Sequence, residues 1–125
     1  MEVLVPVSVG ELIDKITILR IKAERISDPA KVANVRTELE QLTATAERLN
    51  LPDGVRSLEG RLKAINAELW DIEDGKRRCE REQRFDDGFI QLARQVYLKN
   101  DERAALKREI NLLTGSAIVE EKQHG

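Results

Sequence analysis

The sequence predicts an all-α protein: an antiparallel helical bundle or coiled coil of four helices with a short extended N-terminal segment. The main observation is a seam of apolar residues spaced three or four positions apart, as in Leu58, Leu62, Ile65, Leu69 and Ile72. A repeat of about 3.5 residues keeps one helix face against a partner helix. Charged residues make up 35% and aromatic residues 3% of the 125-residue chain, as is typical of long helices with solvated faces. We interpret residues 1–125 as one domain.

The first helix is predicted at residues 9–26, after an extended segment that is rich in valine and contains Pro6. Ser8 and Glu11 have the spacing of a capping box, in which the serine oxygen accepts from the Glu11 amide and the glutamate side chain reaches back. This helix is apolar on more than one side. We therefore expect it to be the most buried of the four.

Turn and capping residues divide the rest of the chain into three further helices and a tail, predicted at residues 29–50, 55–84, 88–114 and 115–125. Asp28 can cap the second helix, and Pro29 suits its first position. Gly115 fits a C-terminal cap for the fourth helix. Because short connections make neighbouring helices antiparallel, we expect helices two and three to form one hairpin and helices three and four another.

Composition also limits the classes of function. The net charge of −2 lacks the basic surplus that phosphate binding favours, so a nucleic-acid partner is disfavoured. The single cysteine, Cys79, fits a packed residue in a reducing compartment. We find no basic leader and no apolar run of about 20 residues, and we predict a cytoplasmic protein without membrane contact. With one histidine, His124, no zinc set can be built, and no cofactor is predicted.

The strongest candidate site lies where polar residues interrupt the apolar seam. Folding helix four back on helix three about Asp87 places the only tryptophan and the only tyrosine close to this interruption. Polar patches in bundle cores are where ligand sites are built. The candidate ligand-binding residues are Trp70, Arg77, Tyr97, Asn100, Arg103 and Lys107.

A structural role for the same polar residues is the alternative. Lys76, Lys99 and Arg103 occupy seam positions, where long side chains can extend to solvent or a polar layer can fix the helix register. In either case, we expect replacement of Arg103 by leucine to leave the fold intact.

A basic run at residues 76–84 offers a second candidate surface. Contact with nucleic acid is one interpretation of its cations. A solvated face is the other, since Glu73 and Arg77, like Glu80 and Arg84, are spaced for i,i+4 ion pairs with the acid first.

Two resemblances bear on the function. The stretches VPVSVGELIDKITIL at 5–19 and YLKNDERAALKREIN at 97–111, followed by GS at 115–116 and VEEK at 119–122, resemble a family of short bacterial and phage proteins of unknown function. That resemblance spans nearly the whole chain, implies a self-contained unit and marks the polar run at 97–108 as a family feature. The segments at 13–16 and 23–25 are similar in pattern to the all-helical chorismate mutases, which implies a small dimeric enzyme.

The leading hypothesis is therefore a helical protein-interaction module without catalysis, which pairs with itself as a homodimer and binds another protein. A dimer would pool two thin cores that one chain can hardly bury alone. The alternatives are a binder of anionic metabolites or a small helical enzyme that uses the candidate site, and a nucleic-acid contact through residues 76–84.

Overall fold

The computed structural model describes residues 1–122 and His124, and its described residues form four helices and no strand. The helices are α1 (Val9–Arg25), α2 (Pro29–Arg48), α3 (Gly54–Glu82) and α4 (Asp87–Thr114). The all-α prediction is confirmed, and each predicted helix end lies within two residues of the observed one. Gln123 and Gly125 of the predicted tail lie outside the described residues.

The central element is α1, which packs against each of the other three helices. Its buried apolar residues join residues of α3 and α4 in one core, composed of Leu12, Ile13, Ile16, Val55, Leu62, Leu106 and Ile110. Leu19 and Ile21 are also buried on α1. The expectation that this helix is the most buried is confirmed, because an apolar surface wider than one stripe needs neighbours on several sides.

The position of α2 differs from the expectation. Within residues 1–122, α2 packs on α1 and makes no helix–helix contact with α3, so the expected hairpin of helices two and three is wrong. The reason is that α1 offers an apolar surface to both sides, and Leu39, Leu42 and Ala46 of α2 pack towards the core from one of them. No residue of α2 itself is buried.

The hairpin of α3 and α4 is the largest helix–helix contact, as expected. Its register is nevertheless shifted from the one we predicted. Lys99 Nζ lies 2.9 Å from Glu68 Oε2, and Leu92 packs over Gly75. The chain therefore reverses before Asp87, because α3 already ends at Gln83 in the left-handed conformation, with φ 54°.

Residues 1–8 and 116–122 lie along the helices without regular structure. Glu2 of the N-terminal segment accepts a hydrogen bond from Gln41 of α2 at 3.2 Å. After Gly115 the C-terminal tail runs back along α4, and Lys122 Nζ lies 2.7 Å from Asp101 Oδ1. None of the helices described here is both long enough and apolar enough to cross a membrane.

Candidate functional site

A buried carboxylate lies at the centre of the interface between α1 and α4. Asp14 of α1 is 1% exposed, although it lies among the apolar residues of the most buried helix. Arg103 of α4 donates to both of its oxygens, from Nε to Oδ1 at 3.0 Å and from Nη2 to Oδ2 at 2.5 Å. Such two-pronged pairing is the strongest contact that a guanidinium makes with a carboxylate. It offsets the cost of burying the charge of Asp14.

Two further polar side chains complete this cluster. Asn66 of α3 donates from Nδ2 to Asp14 Oδ1 and to Thr17 Oγ1, both at 2.9 Å. The Thr17 hydroxyl in turn donates to the backbone oxygen of Asp14 at 2.7 Å. On the outer side, Arg103 Nη1 lies 3.4 Å from Asn100 Oδ1. The cluster therefore joins α1, α3 and α4 through side chains that are nearly all satisfied.

A second ion pair follows one turn further along the same two helices. Lys107 Nζ donates to Glu11 Oε2 at 2.6 Å and to Glu120 Oε2 of the tail at 3.1 Å. Burial by itself would lower the pKa of Lys107, but the hydrogen bonds to Glu11 and Glu120 outweigh it, and the pKa lies above its ordinary value. Glu11 therefore pairs with Lys107 of α4, whereas the capping box predicts that its side chain reaches back to the start of α1.

The start of α1 is capped from the far end of the chain. Ser8 Oγ accepts from the Glu11 amide at 3.0 Å, as the capping box predicts, and donates to Glu120 Oε1 at 2.6 Å. Asn111 Oδ1 accepts from the Gly10 amide at 2.6 Å. The first-turn amides, which a helix cannot satisfy itself, are therefore paired with protein groups.

A groove beside the Asp14 cluster holds half of the predicted site residues. It has a volume of about 380 Å³ and runs between α1 and α3 to the guanidinium of Arg103. Its walls comprise Ile18, Ile21, Asn66, Leu69, Trp70, Glu73, Asp74, Arg77 and Arg103. The structure thus brings Trp70, Arg77 and Arg103 to one opening.

The other three predicted residues lie elsewhere. Asn100 reaches the site only through its contact with Arg103, and Lys107 pairs with Glu11 and the tail. Tyr97 is 54% exposed and is not part of the groove wall. The pairing of Lys99 with Glu68 and of Leu92 with Gly75 places Tyr97 level with Trp70, so Tyr97 is outside the groove because it lies on a different face of α4.

The charges of the groove are nearly balanced. Glu73 and Asp74 face the same space as Arg77 and Arg103. The hydrogen bond that Arg103 donates to Asp14 is the largest influence on this arginine and keeps its pKa above the ordinary value against the opposing effect of burial. Of the two arginines that line the groove, Arg103 is paired with a carboxylate, whereas Arg77 forms no ion pair within the described residues.

Sequence reasoning missed Asp14, Thr17 and Asn66, the residues that engage or surround Arg103. A signal was present in α1, where the short side chains of Gly10, Asp14 and Thr17 follow one another at helical spacing between large apolar residues. In a helix expected to be buried, such a stripe indicates a close approach or a polar partner.

Potential metal ligands do not cluster, since no group of three or more such side chains occurs among the residues described. A family model described as a family of unknown function (DUF6165) matches residues 3–125. No curated protein matches the chain significantly. No solved structure does so either.

Proposed function

The chain belongs to this family of unknown function, DUF6165, and we propose from its geometry that it is a helical protein-interaction module without catalysis that associates with a second copy of itself. The main support for this proposal is the surface formed by residues 1–7 and α2, which we call the α2 surface. On it Val3 is 72%, Leu4 87% and Val5 67% exposed.

Two features of the α2 surface support association. The apolar side of α2 packs on its own chain only in part, since none of its 20 residues is fully buried, and further burial would stabilise this amphipathic helix. The apolar side chains of residues 3–5 are consecutive, whereas single exposed apolar residues are normal on any protein. A second copy that covered both elements would bury the valine-rich segment and the outer side of α2 together.

We infer the absence of catalysis from the pairing of the buried charged groups. Asp14, Arg103 and Lys107 have the burial and pairing that often mark active sites, but each is engaged by an oppositely charged partner. Ion pairs of this kind can fix the register of two helices without taking part in any chemistry. A cytoplasmic location is part of the proposal, and the buried thiol of Cys79 is compatible with that reducing compartment.

Sedimentation equilibrium of the full chain tests self-association. We expect a species of twice 14.2 kDa at tens of micromolar. Leu4→Asp should shift the protein to monomers, because the charge would have to be desolvated in the interface. Leu112→Asp is the matched control on α4, where the leucine is also exposed, and it should leave the dimer intact. A wild-type protein of 14.2 kDa under these conditions would contradict the proposal.

A second candidate function is supported by the groove beside Asp14. Trp70 offers an aromatic surface and Arg77 a cation without an ion pair, which together suit a small ligand with an apolar body and an anionic group. Because Trp70 is the only tryptophan, its fluorescence reports binding directly. A hundredfold excess of such a ligand over its Kd should stabilise the fold by about 2.7 kcal/mol. Arg77→Gln should abolish the effect, and a screen of anionic metabolites without any hit would exclude this candidate.

A further inference from the structure

The C-terminal tail occupies a cationic surface of α4. Two successive acids of the tail meet two successive bases of the helix, since Glu120 lies 3.1 Å from Lys107 Nζ and Glu121 2.5 Å from Arg108 Nη1. The tail has no helix or strand from residue 116 to residue 122. Between tail and helix remains a cleft of about 460 Å³, whose floor is formed by the small residues Ala104 and Ala105.

We propose that this α4 cleft is a docking site for a short, extended, acidic segment of a partner protein, and that the chain's own tail is an internal occupant of it. The partner segment would carry two adjacent carboxylates after small or apolar residues. It would replace the tail from Glu120 onward.

The carboxylate positions are specific. The Glu120 carboxylate accepts from Ser8 Oγ at 2.6 Å as well as from Lys107, and the hydroxyl of Ser8 is held in place because it also caps α1. The Lys107 side chain is only 15% exposed, so its ammonium is fixed by its surroundings and not free to follow any anion in solution. A buried hydroxyl, a fixed ammonium and an exposed guanidinium distinguish an acid pair from a single carboxylate.

The contacts of the tail with α4 are weak enough for another peptide to replace them. Glu121 is 74% and Glu120 45% exposed at the side chain, and ion pairs with this exposure contribute about 0–1 kcal/mol each. The advantage of the tail is its attachment, because a short linker gives an effective concentration on the order of millimolar. A partner peptide can therefore compete once the acidic contacts of the tail are weakened.

The tail of a second copy is a less suitable occupant. The first tail residue, Ser116, donates its amide to Asn111 O at 3.0 Å and accepts from the Val9 amide at 3.4 Å. These contacts hold the beginning of the tail on its own helices, so an exchanged tail would have to break them. A peptide in trans needs only the sites beyond them.

The test uses the full chain and a fluorescein-labelled peptide with the sequence of residues 116–122. In the double variant Glu120→Gln/Glu121→Gln the acids of the tail are neutralised without a change in size. We expect it to bind the peptide about 5-fold more tightly than the wild-type chain, measured by fluorescence anisotropy, because the attached competitor is weakened. Glu80→Gln/Glu82→Gln, which removes two exposed carboxylates from the end of α3, is the matched control and should bind like the wild type.

Two further measurements locate the binding. Adding Arg108→Gln to the double variant should weaken binding about 3-fold, and a peptide with both glutamates replaced by glutamine should bind every variant more weakly than the original peptide does. Equal peptide affinity for the wild type and the double variant would overturn the proposal. An affinity that Arg108→Gln leaves unchanged would overturn it too. Neither result depends on self-association through the α2 surface, so the two proposals can fail separately.

Discussion

Arg103 and Asp14 form a two-pronged ion pair between α4 and α1, in which the carboxylate is almost fully buried and the guanidinium reaches the groove beside Trp70. The pair therefore connects the core with the groove wall that contains the tryptophan. Arg103 does not extend freely to solvent, as one alternative supposed. This changes the expected result of its replacement.

Arg103→Leu should destabilise the protein. The leucine would leave the charge of Asp14 buried with Asn66 as its remaining side-chain partner, and breaking a buried pair from one side costs about 3–5 kcal/mol. Because the Arg103 side chain is 30% exposed, we expect about 3 kcal/mol, measured by urea unfolding. Asp14→Leu/Arg103→Leu should recover most of the loss, since no charge then remains buried. A single variant as stable as the wild type would show that water reaches Asp14.

Gly10→Ala should also destabilise the fold, because α1 and α4 touch at this glycine. A Cβ atom at Gly10 would lie 2.5 Å from the backbone oxygen of Lys107 and 2.8 Å from Asn111 Oδ1. Overpacking of this kind costs about 1–3 kcal/mol. Gly60→Ala on α3 is the control, with no atom near the new methyl group, and it should stabilise by up to ~1 kcal/mol. Equal effects in thermal unfolding would refute the close approach.

Leu19→Ala should cost more stability than Leu49→Ala. Leu19 is 3% exposed on α1, whereas Leu49 is 48% exposed and follows the last turn of α2. Truncation of a buried leucine costs about 2–5 kcal/mol, and an exposed one at a helix end should cost less than about 1 kcal/mol. Urea midpoints of the two variants provide the comparison, and a larger loss for Leu49 would contradict the burial of α1.

The contact of the tail should respond to pH. The hydrogen bond from Ser8 lowers the pKa of Glu120 against the opposing effect of burial, and the bond from Lys107 lowers it further. A lowered pKa in the folded state means that the contact stabilises the tail at neutral pH and is lost as the pH falls through that value. Carbon NMR should give a Glu120 midpoint below the usual ~4.3, and Ser8→Ala should raise it. An unchanged midpoint in Ser8→Ala would assign the shift to another cause.

Helix ends could be predicted because their signals are local. Ser8 and Asp28 each accept the capping hydrogen bond that their positions suggest, and Gly115 adopts the left-handed conformation, with φ 63°. Such contacts lie within a few residues of the chain, so composition and spacing suffice to find them.

The site could be predicted only in part, because it depends on the relative placement of distant helices. Trp70, Arg77 and Arg103 were grouped because they lie on two helices joined by one turn, although the register assumed for that hairpin is shifted in the structure. The partner of Arg103 was not, since Asp14 comes from a helix whose direction and register against α4 no turn determines. The position of α2 was missed for a similar reason: a short connection shows that two helices are antiparallel neighbours in sequence, but a wide apolar helix such as α1 can come between them.

The capping of α1 by residues far along the chain has a consequence for synthesis on the ribosome. The first turn of α1 is completed by Asn111 and Ser116, which follow it by 101 and 107 positions. Ribosomes release the N-terminal end first, so the side of α1 that packs on α4 stays uncovered until α4 has emerged, although α2 and α3 can cover its other sides earlier. The nascent chain should therefore become resistant to protease only after its C-terminal residues have left the exit tunnel.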